Sequence, residues 1–156
     1  MKPDIADDFP ADYTGLSGTV LQYCQLMKEL VDSAKRPGFN RAGWEPLAAM
    51  VAVEEFERVG NFKEVMDWSG YLDFLTGWAR SCDWECSFRR VTEGSDRVFL
   101  ELEERSRVGD HCSVVNSVSV YEFNAAGKIR HLDIYLQMAL PDPEMLKSYD
   151  GVRISE

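Results

Sequence analysis

Val118-Ser119-Val120-Tyr121-Glu122-Phe123-Asn124-Ala125-Ala126-Gly127-Lys128-Ile129-Arg130-His131-Leu132-Asp133-Ile134-Tyr135-Leu136 reads as two alternating runs joined by a turn. In an extended chain successive side chains point to opposite faces, so a period of two marks a strand. Asn124 and Gly127 are turn residues, glycine because it takes backbone angles that a tight reversal needs. The stretch is therefore an antiparallel hairpin, with strands expected over Ser113–Phe123 and Lys128–Met138.

Toward the N-terminus the same period continues. Gly109-Asp110 ends a strand over Val98–Val108, and Glu93-Gly94-Ser95-Asp96 ends one over Trp84–Val91. Before Trp84 the spacing becomes helical: Tyr71, Leu72, Phe74, Leu75 and Trp78 share the inner stripe of a helix over Trp68–Arg80. Val53–Gly60 reads as a short strand. Asn40 caps a second, short helix carrying Trp44, Leu47 and Met50, in which Pro46 is tolerated near the first turn. A first helix, capped by Ser17 or Thr19, carries Val20, Leu21, Cys24, Leu26, Met27, Leu30 and Val31. Lys35 and Arg36 suit its negative end, and Pro37-Gly38 stops it. Three helices followed by a meander of long strands is an α+β pattern, with the helices packed on one face of the sheet. Residues 1–16 form a leader, 17–140 a single α+β domain, and 141–156 a polar tail opened by Pro141 and Pro143.

Composition sets outer limits on function. A chain of 156 residues, 45% apolar and 12% aromatic, has ample material for one core. The net charge of −10 argues against nucleic acid and anionic membranes, because phosphate recognition needs a basic face. Neither a secretory signal nor a run of roughly 20 apolar residues is present, so no membrane span is expected. Cys82 and Cys86 have three residues between them, wider than the two-residue spacer of common zinc and redox motifs. Cys24, Cys82, Cys86 and Cys112 are read as reduced thiols, which points to the cytoplasm, with no metal site. With no Gly-rich phosphate loop or nucleophile elbow, no cofactor is expected.

The order helix, helix, short strand, helix, four long strands resembles the nuclear transport factor 2 superfamily from Thr19 to Leu140. The best local matches are Ser69-Gly70-Tyr71-Leu72-Asp73-Phe74-Leu75 and Val120–Ile129 across the last turn. The resemblance implies a cone-shaped half-barrel with a pocket under the sheet and a homodimer formed through the sheet's outer face. The superfamily includes ketosteroid isomerase, SnoaL-type polyketide cyclases, limonene epoxide hydrolase and scytalone dehydratase. The isomerase's catalytic positions fall on Arg58, near Met27 and near Ser119, so none of its three residue types is kept. That argues against isomerase chemistry of that kind. The histidine pair of scytalone dehydratase is hard to reproduce with His111 and His131 alone.

Strand alternation selects the candidate site residues. Glu104 continues the face of Leu100 and Leu102. A carboxylate on an apolar wall loses hydration and becomes a general acid or base near neutrality. The competing readings leave Glu104 solvated, or paired with Arg58. Ser117, Ser119, Tyr121 and Phe123 share one face, opposite Val118 and Val120. Either face can be the inner one; if the first is, Tyr121 offers a phenolic donor. His131 and Asp133, two apart, form either an acid–base pair or part of an interface or solvated face. Arg58, if inward, holds a carboxylate or carbonyl oxygen. With Glu104 it resembles the Asp–Arg–Asp arrangement of limonene epoxide hydrolase, with Glu54 or Asp133 as second carboxylate. Trp44, Phe56, Trp78 and Leu102, with Ser117, Ser119, Leu132 and Ile134, are the expected ligand-facing residues. The expected function is a cofactor-independent isomerase, cyclase or hydrolase acting on a small hydrophobic carbonyl or epoxide compound by acid–base chemistry. The alternative is a non-catalytic ligand-binding or protein-interaction module.

Overall fold

The computed structural model describes Pro10, residues 12–140 and residues 143–155. Most of the expected leader therefore lies outside the described residues, as does Pro141. Helix α1 spans Gly15–Ser33 and buries Val20, Leu21, Tyr23, Cys24, Met27 and Val31, a spacing of three and four that keeps one stripe inward. Its N-terminus is not capped by the hydroxyls of Ser17 or Thr19. Instead the carboxylate of Glu93 accepts the Ser17 N–H at 2.7 Å, an anion from a distant strand placed on the helix's positive end. At the other end Lys35 Nζ donates to the carbonyls of Val31 and Ala79, at 3.3 and 3.1 Å. One lysine thus satisfies the last turns of two helices.

Asn40 caps as the sequence indicates, its Oδ1 accepting from the Ala42 N–H at 2.9 Å. The helix that follows is a 3₁₀ turn, Arg41–Trp44, continued by a single α-turn, α2, over Glu45–Ala48. The strand expected over Val53–Gly60 shrinks to β1, Glu57–Val59. A second strand absent from the sequence reading, β2 over Val65–Asp67, pairs with it antiparallel. Asp67 then caps helix α3, Trp68–Ser81, through the Gly70 N–H at 2.8 Å.

Four long strands complete the chain: β3 Cys82–Glu93, β4 Arg97–Val108, β5 His111–Phe123 and β6 Ile129–Gln137. Their order in the sheet is β2-β1-β6-β5-β4-β3, antiparallel throughout except for the parallel pair β1–β6. Register shifts at Phe88/Arg90 and at Glu122/Phe123 help to curl the sheet. The result is an open, cone-like α+β fold whose helices fill the hollow face. A 3₁₀ turn over Met145–Tyr149 follows, and the chain returns to the sheet where Ile154 bridges Glu64 beside β2.

Candidate functional site

Pairing across the sheet lines up Met66, Arg58, Leu132, Tyr121 and Val98 in one inward row. Arg58 is buried because its neighbours Glu57 and Val59 take the opposite face. Its counter-ion is Glu64, 1% exposed, with Oε1 at 3.5 Å from Arg58 Nη1. The other oxygen of Glu64 accepts the Phe62 N–H at 2.9 Å. This carboxylate can occupy its place because residue 60 is glycine: a Cβ there would stand 1.6 Å from Glu64 Oε1.

Aromatic rings surround the pair. The guanidinium carbon of Arg58 lies 5.2 Å from the Tyr71 ring centroid and 5.8 Å from that of Phe74, favourable for a cation over π-faces. Phe56 stacks on Tyr71 at 5.9 Å, and Tyr23 meets Tyr121 edge-on at 5.8 Å. Cys24 Sγ lies 3.9 Å from Tyr121 Oη. Burial drives the phenols of Tyr23 and Tyr121 well above the ordinary tyrosine value. Burial also raises Tyr71, against which the charge of Arg58 acts. The Cys24 thiol is pushed up to about 12, again by burial, with a smaller contribution from Glu104. These hydroxyls therefore stay protonated, and each keeps an O–H to donate.

Among the described residues, several buried polar atoms make no hydrogen bond of good geometry: Tyr23 Oη, Arg58 Nε and Nη1, and Ser117 Oγ on the inward side, with Arg105 Nη2 elsewhere in the sheet. Arg105 is set among carboxylates, 3.2 Å from Glu103 and 3.7 Å from Glu85. The inward atoms have less company: the Tyr71 hydroxyl lies beside Tyr23 and Arg58, and Glu64 stands 3.5 Å from Arg58 Nη1. A buried donor without an acceptor costs about 1–3 kcal/mol, so an unfilled set of this kind points to a guest.

The sequence-derived candidates divide between the two faces. Arg58, Tyr121, Ser117, Ser119, Leu102 and Leu132 are all buried inward, and Phe56 joins them through Tyr71. Ile134, half-buried, pairs with Ser119 on the same face. Glu104 also faces inward, but its carboxylate accepts the Trp84 indole N–H at 2.9 Å, and Arg58 takes Glu64 instead. Trp78 packs on Trp84 at 6.2 Å, near Glu104 rather than Arg58. Trp44 belongs to the helical core, where its indole donates to Thr76 Oγ1 at 2.9 Å. His131 and Asp133 do pair, at 2.9 Å, yet on the outer face, where Glu57 also approaches the ring at 3.7 Å. They are thus separated by the sheet from Arg58 and Tyr121. Glu64 was missed because the segment after Gly60 reads as a loop. The signal that could have found it is the pairing of Arg58-Val59 with Val65-Met66 around the turn at residues 60–64.

Two open grooves lie nearby. One, of about 520 Å³, runs between the β1–β2 hairpin, α3 and the C-terminal segment, with Phe56, Met66, Phe74 and Val152 among its walls. The other, of about 330 Å³, lies against Arg89, Glu101, Val118 and Tyr135 on the outer face.

Neither a family model nor a curated protein matches the sequence. Solved structures do match the fold. An NTF2-like protein of unknown function from Pseudomonas aeruginosa is 15% identical, with 76% of this chain and 98% of that one covered and a TM-score of 0.56. An LEH-like epoxide hydrolase of Mycobacterium tuberculosis is 10% identical over 77% of this chain and 84% of its own, with a TM-score of 0.58. SalBIII, an epoxide hydrolase/cyclase-like enzyme in pyran ring formation in the polyether salinomycin, is 12% identical over 78% and 90%, also at 0.58. At these identities the likeness extends to the fold alone.

Proposed function

This chain has the nuclear transport factor 2-like fold, and we propose that its interior binds a neutral, apolar small molecule carrying a carbonyl or epoxide oxygen. The observation that carries this reading is the set of unpaired donors, Tyr23 Oη and Arg58 Nε and Nη1, against one aromatic wall. Tyr23 and Arg58 share the Tyr71 hydroxyl, and Arg58 meets Glu64 only at 3.5 Å, so donor positions remain for such an oxygen to fill. Neutrality follows from charge. Arg58 is already balanced by Glu64, so an anionic guest would bury an unmatched negative charge.

The chemistry is acid–base and needs no cofactor. Donors fixed before the reaction stabilise negative charge as it develops on the oxygen. Tyr23 and Tyr121, held protonated by burial, suit that role. The Glu64 carboxylate, 3.5 Å from Arg58, is the base that takes or returns the proton. The shared fold of two epoxide hydrolase-like enzymes supports this substrate class. We further propose that two copies meet across the outer face, supported by the exposed Tyr135, Val114 and Phe99 there. A cytoplasmic setting accords with Cys24, Cys82, Cys86 and Cys112 forming no disulfide among the described residues. No helix among the described residues is long and apolar enough to cross a membrane.

The test is a thermal-shift panel of neutral aromatic ketones and epoxides beside carboxylates of the same size. A ligand at a hundred times its Kd adds about 2.7 kcal/mol, a rise in Tm of roughly 5–10 °C. Neutral compounds are expected to shift the parent protein and to leave Tyr23→Phe shifted less. A preference for carboxylates would refute the neutral guest, and no shift at all would transfer function to the outer face. Among compounds that bind, Glu64→Gln should abolish turnover while binding persists; unchanged turnover would leave a binding module without catalysis.

A further inference from the structure

The chain's own C-terminal segment packs against the aromatic wall beside Arg58. Tyr149 inserts its ring between Phe62, at 5.2 Å, and Phe74, at 5.7 Å. Phe74 is also one of the rings over Arg58. The hydroxyl of Tyr149 lies within the field of the buried pair: its pKa is raised by burial, with Glu64 adding and Arg58 subtracting. After Tyr149 the chain turns at Gly151, whose φ of 81° favours glycine, and lies down along β2. Among the described residues it is held there at two places: Val65 N–H donates to the Arg153 carbonyl at 2.7 Å, and Ser155 N–H and Oγ–H donate to the Lys63 carbonyl at 2.7 and 3.1 Å. Leu146 and Ile154 remain exposed, and Val152 is only half-buried. Short, exposed, sparsely bonded segments are the ones that open locally without global unfolding. The groove of about 520 Å³ runs along this segment and shares Phe56 and Phe74 with the wall of the interior site.

We infer that residues 149–155 are a strap that gates the interior site, with Tyr149 as the stopper between the groove and the Arg58–Glu64 pair. The strap controls entry and sets the width of what passes: a guest reaches the unpaired donors only when the Tyr149 ring leaves its slot beside Phe74. This rests on the interior being a binding site, but opening is measurable without any ligand.

Cys24 is the reporter. It is buried beside Tyr121, while Cys82 and Cys86 are buried on β3. The probe is methyl methanethiosulfonate, with the modified cysteine identified by peptide mass. Tyr149→Ala should speed modification of Cys24 roughly tenfold, the factor given by about 1.4 kcal/mol of eased opening, with Cys82 and Cys86 unchanged. Tyr149→Phe, which keeps the ring in its slot, should stay at the parent rate. Three results would overturn the inference: no change at Cys24, equal acceleration at all three buried thiols, or Tyr149→Phe behaving as Tyr149→Ala. Hydrogen exchange on the parent protein gives a variant-free check. The Val65 and Ser155 amides should exchange well ahead of the β5 amides, and equal protection would show that the strap does not open. A gate that opens while the ketone and epoxide panel shows no binding would sink the proposed function and leave the strap standing.

Discussion

At position 60 only a hydrogen atom fits, since a methyl group would overlap the Glu64 carboxylate. Gly60→Ala must therefore displace Glu64 from Arg58 and disturb the site without touching either residue. The pair itself gives a sharper expectation. Removing one partner of a buried ion pair leaves the other charge unmatched, at a cost of about 3–5 kcal/mol, whereas apolar replacement of both is often near neutral. Arg58→Met should lower stability in urea by that amount, and Arg58→Met/Glu64→Leu should recover most of it. A loss below about 1 kcal/mol in the single variant would mean that the pair is weighted like an exposed ion pair and does not anchor the site. The tyrosines give a pH dependence. Tyr23 and Tyr121 have folded-state values raised above the unfolded value near 10, so the protonated phenol is favoured by the folded state. Their contribution is complete below pH 10 and is lost as pH rises beyond it. Phenolate absorbance should thus appear cooperatively with unfolding above pH 10; a smooth titration in a still-folded protein would contradict the burial. At this scale the sequence was informative about face and less so about partner. Alternation grouped Tyr121 with Ser117 and Ser119 on one face but left open which face is inner, and left Arg58 inward only as a condition; the pairing of β1 and β5 with β6 puts both inside. Alternation could not show that Glu104 answers to Trp84, because that contact depends on how the curled sheet brings β3 against β4.

Among the elements, the long strands were legible because ten or more alternating residues leave little ambiguity about period or turn. The three-residue strands β1 and β2 carry no period of their own and are held by neighbours, so Val53–Gly60 was overdrawn and Val65–Asp67 was missed. The C-terminal segment was hidden likewise: its polar composition reads as a tail, and only pairing beside β2 gives it a place. Helix α1 shows the same non-local dependence, since its cap comes from Glu93 on β3. Glu93→Ala should cost about 1 kcal/mol, as loss of an N-cap does, or roughly 2–4 °C in Tm. Glu93→Gln, which keeps an acceptor oxygen, should lose less. If scanning calorimetry finds Glu93→Ala as stable as the parent, water replaces the carboxylate and the cap has no weight.

For the molecule as a whole, the sheet separates two faces: an inner one with a buried charge pair, and an outer one with exposed Tyr135 and Val114. If the outer face joins two copies, light scattering at micromolar concentration should give the mass of two chains, and Tyr135→Glu should give one. A monomeric parent would remove the dimer without touching the interior site. That site is best examined in a crystal structure of the protein with a neutral ketone or epoxide taken from the thermal-shift panel. The ligand oxygen is expected at about 2.7–3.2 Å from Tyr23 Oη or from Arg58 Nε or Nη1. A ligand seated instead in the outer groove, with only water at those donors, would contradict the assignment of the interior as the binding site.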